Sequence, residues 1–277
     1  MSTCEEMTVS YLARQIIPGG RPMRFEGKTA VITAAGAGIG RATSDILVKE
    51  GATVVAVEID PGRIDKMTTE LAGEAGTVDG RSIDAMDEGQ VRALIADVEA
   101  KYGSIDLLVN GVGGSTIVED PSMTIDEMSF DDWQKLIDFN LSATFLFCNT
   151  VIPGMKKAGS GKIVSLASIA GRGLSLNSSS AYAAAKGGII ALTRKLSIEL
   201  GPFGINVNAI APSLTLTERL MPHWEKRSAE SQAAEIEKVP LRRVATARDQ
   251  AGVIAFLLSS DADFVTGLTI DVTGGLS

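Results

Sequence analysis

Short, uniformly apolar runs recur along the chain at near-regular intervals. They are "TAVIT" (29–33), "TVVAVE" (53–58), "IDLLVN" (105–110), "GKIVSLAS" (161–168), "INVNAIA" (205–211) and "LTIDV" (268–272). They are rich in β-branched residues and do not alternate with polar ones, which predicts strands buried on both faces. A weaker strand is predicted around 78–84. Between the runs, helical periodicity predicts helices near 38–51, 61–73, 87–103, 131–158, 180–200 and 246–259. Strand and helix alternate throughout, which predicts one α/β unit: a doubly wound parallel β-sheet of about seven strands with helices on both faces. This unit spans 26–277 behind an N-terminal extension, 1–25. Residues 213–240 interrupt the alternation with apolar residues scattered among charges, and are read as a lid over a binding site, with plain surface decoration as the alternative.

Composition narrows the function classes. The 277 residues are 45% hydrophobic, enough for a full core, and the net charge of −8 gives no attraction to nucleic acid or an anionic membrane. Cys4 and Cys148 show no paired spacing, as expected in a reducing compartment. A single histidine, His223, leaves little scope for a histidine-built metal site or a Ser/His/Asp triad. Residues 1–25 include Glu5, Glu6 and Arg14 and lack a long apolar run, arguing against a signal peptide. No apolar stretch is read as long enough to span a bilayer. A soluble, cytoplasmic protein is expected.

Two stretches carry candidate chemistry. "VITAAGAGIGRA" joins the first strand to the first helix and holds Gly36, Gly38 and Gly40, where a tight turn and a helix N-terminus can receive a pyrophosphate. A merely glycine-rich turn is the alternative. Glu58 ends the second strand, where a carboxylate accepts ribose hydroxyls and repels a 2′-phosphate. No basic residue precedes Gly38, so NAD is favoured over NADP. Asp84 could meet the adenine amino group or simply form a turn. The second stretch, "SSSAYAAAKGGIIALTRKLSIELGPFG" (178–204), reads as a helix that sets Tyr182 and Lys186 on one face. Taken alone, the pair is equally a core tyrosine and an unrelated surface lysine.

Seven motifs in register resemble those of the short-chain dehydrogenases/reductases: "TAAGAGIG" (33–40), "LVNGVGG" (108–114), "DFNLSATF" (138–145), "IVSLASIAG" (163–171), "AYAAAK" (181–186), "INVNAIAPSLTLT" (205–217) and "FVTGLTIDVTGG" (264–275). The resemblance covers nearly everything from 25 to 277. It implies a Rossmann-type fold and a catalytic set of Ser168, Tyr182, Lys186 and Asn140. Tyr182 would be the acid/base, its pKa lowered by the ammonium of Lys186 and by the nicotinamide. Lys186 would also hold the nicotinamide ribose, Ser168 would bond the substrate oxygen, and Asn140 would hold a water for proton relay. The implied cofactor contacts add Thr33, Ile39, Asn110, Gly111, Pro212 and Thr217 to the glycines, Glu58 and Asp84. A homotetramer, paired through 131–158 and 180–200, is also implied.

Several departures from the family pattern stand out. Ala34 follows Thr33 where the family has glycine. Gly111 replaces an asparagine that braces sheet and cofactor. Ser213 follows Pro212 where glycine is usual, and the loop from Ser168 to Tyr182 is one residue longer. The expected substrate is a small molecule, a secondary alcohol or its ketone, met by Leu174, Met221 and Trp224. Arg172, Arg219, His223, Lys226 and Arg227 either recognise a carboxylate or thioester phosphates, or are solvated. A 3-oxoacyl-thioester reductase (carrier protein or coenzyme A) is the alternative reaction. A degenerate nucleotide-binding partner subunit is the rival from another class, and extended-type dehydratases or epimerases are disfavoured by the short C-terminal portion.

Overall fold

A computed structural model describes residues 23–175 and 178–276. Seven parallel strands form one sheet: β1 (Thr29–Thr33), β2 (Thr53–Glu58), β3 (Thr77–Ser82), β4 (Leu107–Asn110), β5 (Gly161–Leu166), β6 (Ile205–Pro212) and β9 (Thr269–Val272). Their spatial order is β3-β2-β1-β4-β5-β6-β9, so the chain reverses direction across the sheet between β1 and β4. Every residue of β1 and β4 is buried, which accounts for their unbroken apolar patterns. β3 is an edge strand carrying Asp79, Gly80 and Arg81, and its signal is correspondingly weak.

Helices cover both faces. On one, α1 (Gly38–Lys49) and α8 (Ala247–Leu258) pack Ile46, Leu47, Ile254 and Leu257 against Ile32, Val54 and Val109. On the other lie α3 (Glu88–Tyr102), the long helix α4 (Phe130–Ala158) and α5 (Ser180–Leu200). There Leu94, Val98, Phe147, Val151 and Leu200 close over Val31, Leu108 and Ile163. α2 (Pro61–Glu70) flanks the sheet edge beside β3.

Helix α4 corrects one expectation from sequence. It runs for 29 residues, and an 18-residue window with mean hydropathy 1.3 is long and apolar enough to cross a membrane. Its apolar residues include Leu146, Phe147, Val151 and Met155, all buried in the core. Burial against the sheet therefore explains its composition. The helix also carries a π-turn at Asp138–Ser142, an irregularity that re-aims side chains and recurs at functional sites.

The 213–240 segment contains β7 (Thr215–Leu216), α6 (Met221–Glu225) and α7 (Ala229–Lys238), and β7 pairs with β8 (Ala245–Thr246). Neither of its helices buries a residue, so the segment lies on the outside of the unit.

Ala34 adopts φ 52°, left-handed backbone that disfavours a Cβ. This is the position where the resemblance leads one to expect glycine. Relief of that strain exceeds the extra unfolded-chain entropy of glycine, so Ala34→Gly should stabilise the protein by about 0.5–1 kcal/mol. A urea-unfolding midpoint unchanged or lowered in the variant would contradict this.

Candidate active site

The reversal between β1 and β4 is a switch point in the strand order, and at such points ligands bind in a crevice at the carboxyl edge of open α/β sheets. Two backbone approaches shape this edge. Gly111 sits so close to the carbonyl of Thr33 that any side chain would collide with it. The Thr33 hydroxyl then accepts from the amides of Gly111 (2.8 Å) and Val112 (3.2 Å). Gly111 is therefore not a lost brace: Thr33 ties the two loops together, a role the sequence reading missed. Asn110 donates to Ser165 Oγ (3.0 Å) and to the buried Cys148 Sγ (3.4 Å), tying β4 to β5 and α4. Burial pushes the Cys148 thiol up to about 12, so it is inert at neutral pH. Cys4 lies outside the described residues.

At the first turn, the amide of Gly38 donates to the carboxylate of Glu218 at 2.9 Å, so the N-terminus of α1 already meets an anionic oxygen. Ile39 and Gly40 continue into the helix, and a Cβ on Gly40 would strike the carbonyl of Ala34. Thr217 packs beside Gly38, its methyl 3.1 Å from where a Cβ would sit. Pro212 ends β6, opposite Val272.

Glu58 is buried, with 6% of its surface exposed. Its carboxylate accepts from the amides of Gly36 (3.2 Å), Ile59 (3.1 Å) and Asp60 (3.4 Å). Arg63, half-exposed in α2, stands 3.6 Å from Glu58. The sequence reading looked for a cation only before Gly38 and so missed this one. Asp84 forms a turn, accepting from Met86 N at 2.8 Å, while its own amide donates to Gln90.

The four expected catalytic residues converge. Ser168 follows β5 and its hydroxyl accepts from Ala170 N at 3.1 Å, capping the short turn Ile169–Arg172. That same hydroxyl lies close enough to Tyr182 to favour loss of the phenol proton. Tyr182 stands in the first turn of α5, which Ser179 caps by accepting from Tyr182 N. Lys186, one turn later, lies with its Nζ 5.8 Å from the Tyr182 ring centroid. Lys186 is 3% exposed, and its ammonium donates to Leu166 O at 2.7 Å. Asn140 lies in the π-turn of α4, fully buried. Its amide nitrogen donates to Leu136 O and Gly114 O, and its oxygen accepts from Gly114 N. One donor and the acceptor thus hold the 113–114 loop at Gly114, while the other donor is spent on the helix's own Leu136 carbonyl.

Burial sets the charge state of both groups in the protein without its cofactor. Tyr182 is raised above its usual value because burial outweighs the opposing effects of the Ser168 hydroxyl and the charge of Arg219. Lys186 is lowered to about 7, first by burial and then by the like charge of Arg219. Without a positive ring beside it the phenol stays protonated, while the amine is poised between its two forms.

None of the three substrate candidates is buried, and Leu174 donates its amide to Ile169 O in the turn that Ser168 caps. Leu174 and Met221 are exposed, and the described contacts of Trp224, with Arg227 and Gln232, stay within the lid. Leu176 and Asn177, in the loop before α5, lie outside the described residues.

Known proteins share this architecture. A family described as enoyl-(acyl carrier protein) reductase matches residues 33–277. The chain is 36% identical over 254 residues to the 3-oxoacyl-[acyl-carrier-protein] reductase FabG of Thermotoga maritima, covering 92% of this chain and 99% of the relative. It is 32% identical over 276 residues to the D-threitol dehydrogenase of Mycolicibacterium smegmatis, covering 99% of this chain and 98% of that one. Among solved structures it resembles a 3-oxoacyl-[acyl-carrier protein] reductase with bound NAD from Brucella melitensis, with TM-score 0.81 and 31% identity over 95% of this chain and 98% of that one. With the fold, the loop geometry and the relatives in agreement, the chain belongs to the short-chain dehydrogenase/reductase family of oxidoreductases, whose members bind a nicotinamide cofactor.

Proposed function

We propose that the protein is an NAD-dependent oxidoreductase that interconverts a small secondary alcohol and its ketone, with Tyr182 as the proton-transfer group. The observation that carries this is the gathering of Ser168 and Tyr182 beside the buried amine of Lys186, whose Nζ lies 5.8 Å from the Tyr182 ring centroid. It makes a pair of hydroxyls that can grip one substrate oxygen. The chain fits the cofactor: an anionic oxygen already sits on the Gly38 amide, and Glu58 lies at the end of β2. Gly36, Gly38, Ile39, Gly40, Thr33, Asn110, Gly111, Pro212 and Thr217 would line its pocket, with Asp84 at the adenine end. The nicotinamide, when bound, takes or gives the hydride at the carbinol carbon. In oxidation, Tyr182 removes the hydroxyl proton as the carbonyl forms; in reduction, it returns one. Ser168 holds the oxygen, Lys186 stabilises the phenolate and holds the ribose, and Asn140 fixes the 113–114 loop, its oxygen facing the proton path from Lys186.

A second reading, reduction of a 3-oxoacyl thioester, draws support from the name of the Thermotoga relative. Assaying secondary alcohols, hydroxy acids and hydroxyacyl thioesters with both cofactors separates the two. We also propose that 213–240 closes over substrate, with Leu174, Met221 and Trp224 entering the pocket on closure. Closure requires Glu218 to yield the Gly38 amide to the pyrophosphate. The exposed Phe145 of α4 and Ile198 of α5 support a homotetramer built on those helices, acting in the cytoplasm.

Tyr182→Phe keeps the ring and removes the titrating oxygen, so turnover should fall by about 10²–10⁴-fold. NAD affinity, measured by calorimetry, should be nearly unchanged; retention of most of the rate would refute the assignment.

For cofactor choice, kcat/KM should favour NAD over NADP. Arg63 softens the repulsion of a 2′-phosphate, so Arg63→Ala should widen the preference and Glu58→Gln should narrow it. A wild-type preference for NADP would overturn the role given to Glu58.

Lys186→Met should cost rate and weaken cofactor binding, yet stabilise the fold by removing a buried amine. Between about 7 and the usual 10.5, the unfolded chain holds a proton that the folded chain has released. Stability tied to this residue therefore rises with pH across that window and levels off below it. The variant's advantage in Tm should accordingly grow as pH falls toward 7. A pH-independent difference between the melting curves would contradict this.

A further inference from the structure

Of the three arginines flagged from sequence as candidate anion binders, the structure pairs two with carboxylates. Arg172 meets Asp271 at 3.1 Å, and Arg227 lies 3.9 Å from Glu235. Arg219 forms no ion pair with any described residue. It stands at the start of the lid, and the residues just before it are anchored across the cofactor loop. Glu218 bonds the Gly38 amide at 2.9 Å, and Thr217 packs on Gly38. That anchoring aims Arg219 across the crevice.

Its guanidinium lies over the 113–114 backbone. Nη1 donates to Gly113 O at 3.4 Å, and Nη2 is 2.9 Å from where a Cβ of Gly114 would sit. On the other side of that backbone, the corresponding Cβ point of Gly113 is 2.6 Å from Asn140 Oδ1 and 2.9 Å from Lys186 Nζ. Two adjacent glycines, both with extended positive φ (147° and 149°), thus separate the guanidinium from the catalytic amine by little more than the thickness of the chain. Gly114 leaves the space that the Arg219 fork occupies. The charge of Arg219 also acts on both Tyr182 and Lys186. Two cationic groups thus face one crevice, and Arg219 has no counter-ion among the described residues. Arg219 is exposed, so its guanidinium fork is open to an anionic ligand arriving from solvent.

We propose that Arg219 is the substrate-specifying residue and that the substrate is a small hydroxy acid or its oxo acid. The carboxylate takes the Arg219 fork while the reacting oxygen lies between Ser168 and Tyr182. The inference rests on the oxidoreductase reading above and names its substrate class. A planar guanidinium binds a carboxylate through two parallel N–H···O bonds, fixing both its position and its plane. A carboxylate one or two bonds from the carbinol carbon spans the short distance between the two groups. An acyl thioester has no charge there, and a neutral alcohol leaves the fork unmatched.

The test uses the full chain with reduced nicotinamide bound, and the unreactive acids oxamate and malonate, each against its neutral diamide. Calorimetry should show at least one acid binding more tightly than its amide by about tenfold or more, a difference that Arg219→Gln erases and Arg219→Lys partly keeps. In kinetics, Arg219→Gln should lower kcat/KM for pyruvate or acetoacetate by about 10²-fold, mostly through KM, at least about tenfold more than it lowers kcat/KM for their methyl esters. Acids no better than amides and esters, equal losses on both in Arg219→Gln, or a preferred acetoacetyl thioester that the variant still reduces at the wild-type rate would each overturn the proposal. Failure of the reading beneath it is separately visible: neither reduced cofactor would bind, or Tyr182→Phe would keep its rate.

Discussion

The site is organised around one unfavourable fact, an amine buried with no counter-charge among the described residues. Lys186 is held in the interior by a single carbonyl, that of Leu166, and it sits near a guanidinium of like sign. A lysine so placed gives up its proton far more easily than one in water, at a cost in stability that the rest of the core must cover. The surrounding elements keep it there. α5 packs along β6 and against the short turn after β5, and Gly171 in that turn lies so close to the backbone at Lys186 and Gly187 that a side chain would not fit. The poise of the amine and the position of Tyr182 follow from this packing.

The same principle, a polar group taken from water and given fixed partners, governs the cofactor end. Glu58 is buried but bonded to three amides, so its carboxylate is part of the turn as well as a candidate ribose partner. Arg63 stands over it as a partial neutraliser. In the proposed reading, discrimination between cofactors rests on a pair of opposite charges and not on one acid. Glu218 and Arg219 extend the pattern into the lid: neighbouring residues of opposite sign reach different ends of one crevice. An anion meets the helix N-terminus, and a cation meets the catalytic pair.

Much of this was legible from sequence because it is local. The uniformly apolar strands had to be buried on both faces, and the alternation with helices had to give a parallel sheet. The glycine loop was readable from its place between a strand and a helix, whereas the Ser-Tyr-Lys-Asn set came from the resemblance to a family and not from spacing alone. The long helix over 131–158 was read correctly in extent, whereas its π-turn was not. Within that turn Asn140 bonds both Leu136 of its own helix and the distant Gly114, and the second contact is one that local sequence does not specify.

What the sequence alone determined, then, is the order of elements and the identity of the chemical groups, since both follow from residue type and spacing. Only the tertiary structure decided how those groups are charged and which of them meet. Burial raises Tyr182 and lowers Lys186, and burial depends on everything packed around them. Thr33 takes over bracing at Gly111 because two loops approach there. Arg63 reaches Glu58, and Arg219 is left without a carboxylate where Arg172 and Arg227 are not. Each of these depends on distances between residues far apart in the chain, and charge interactions vary too steeply with distance and solvent exposure for residue order to fix them.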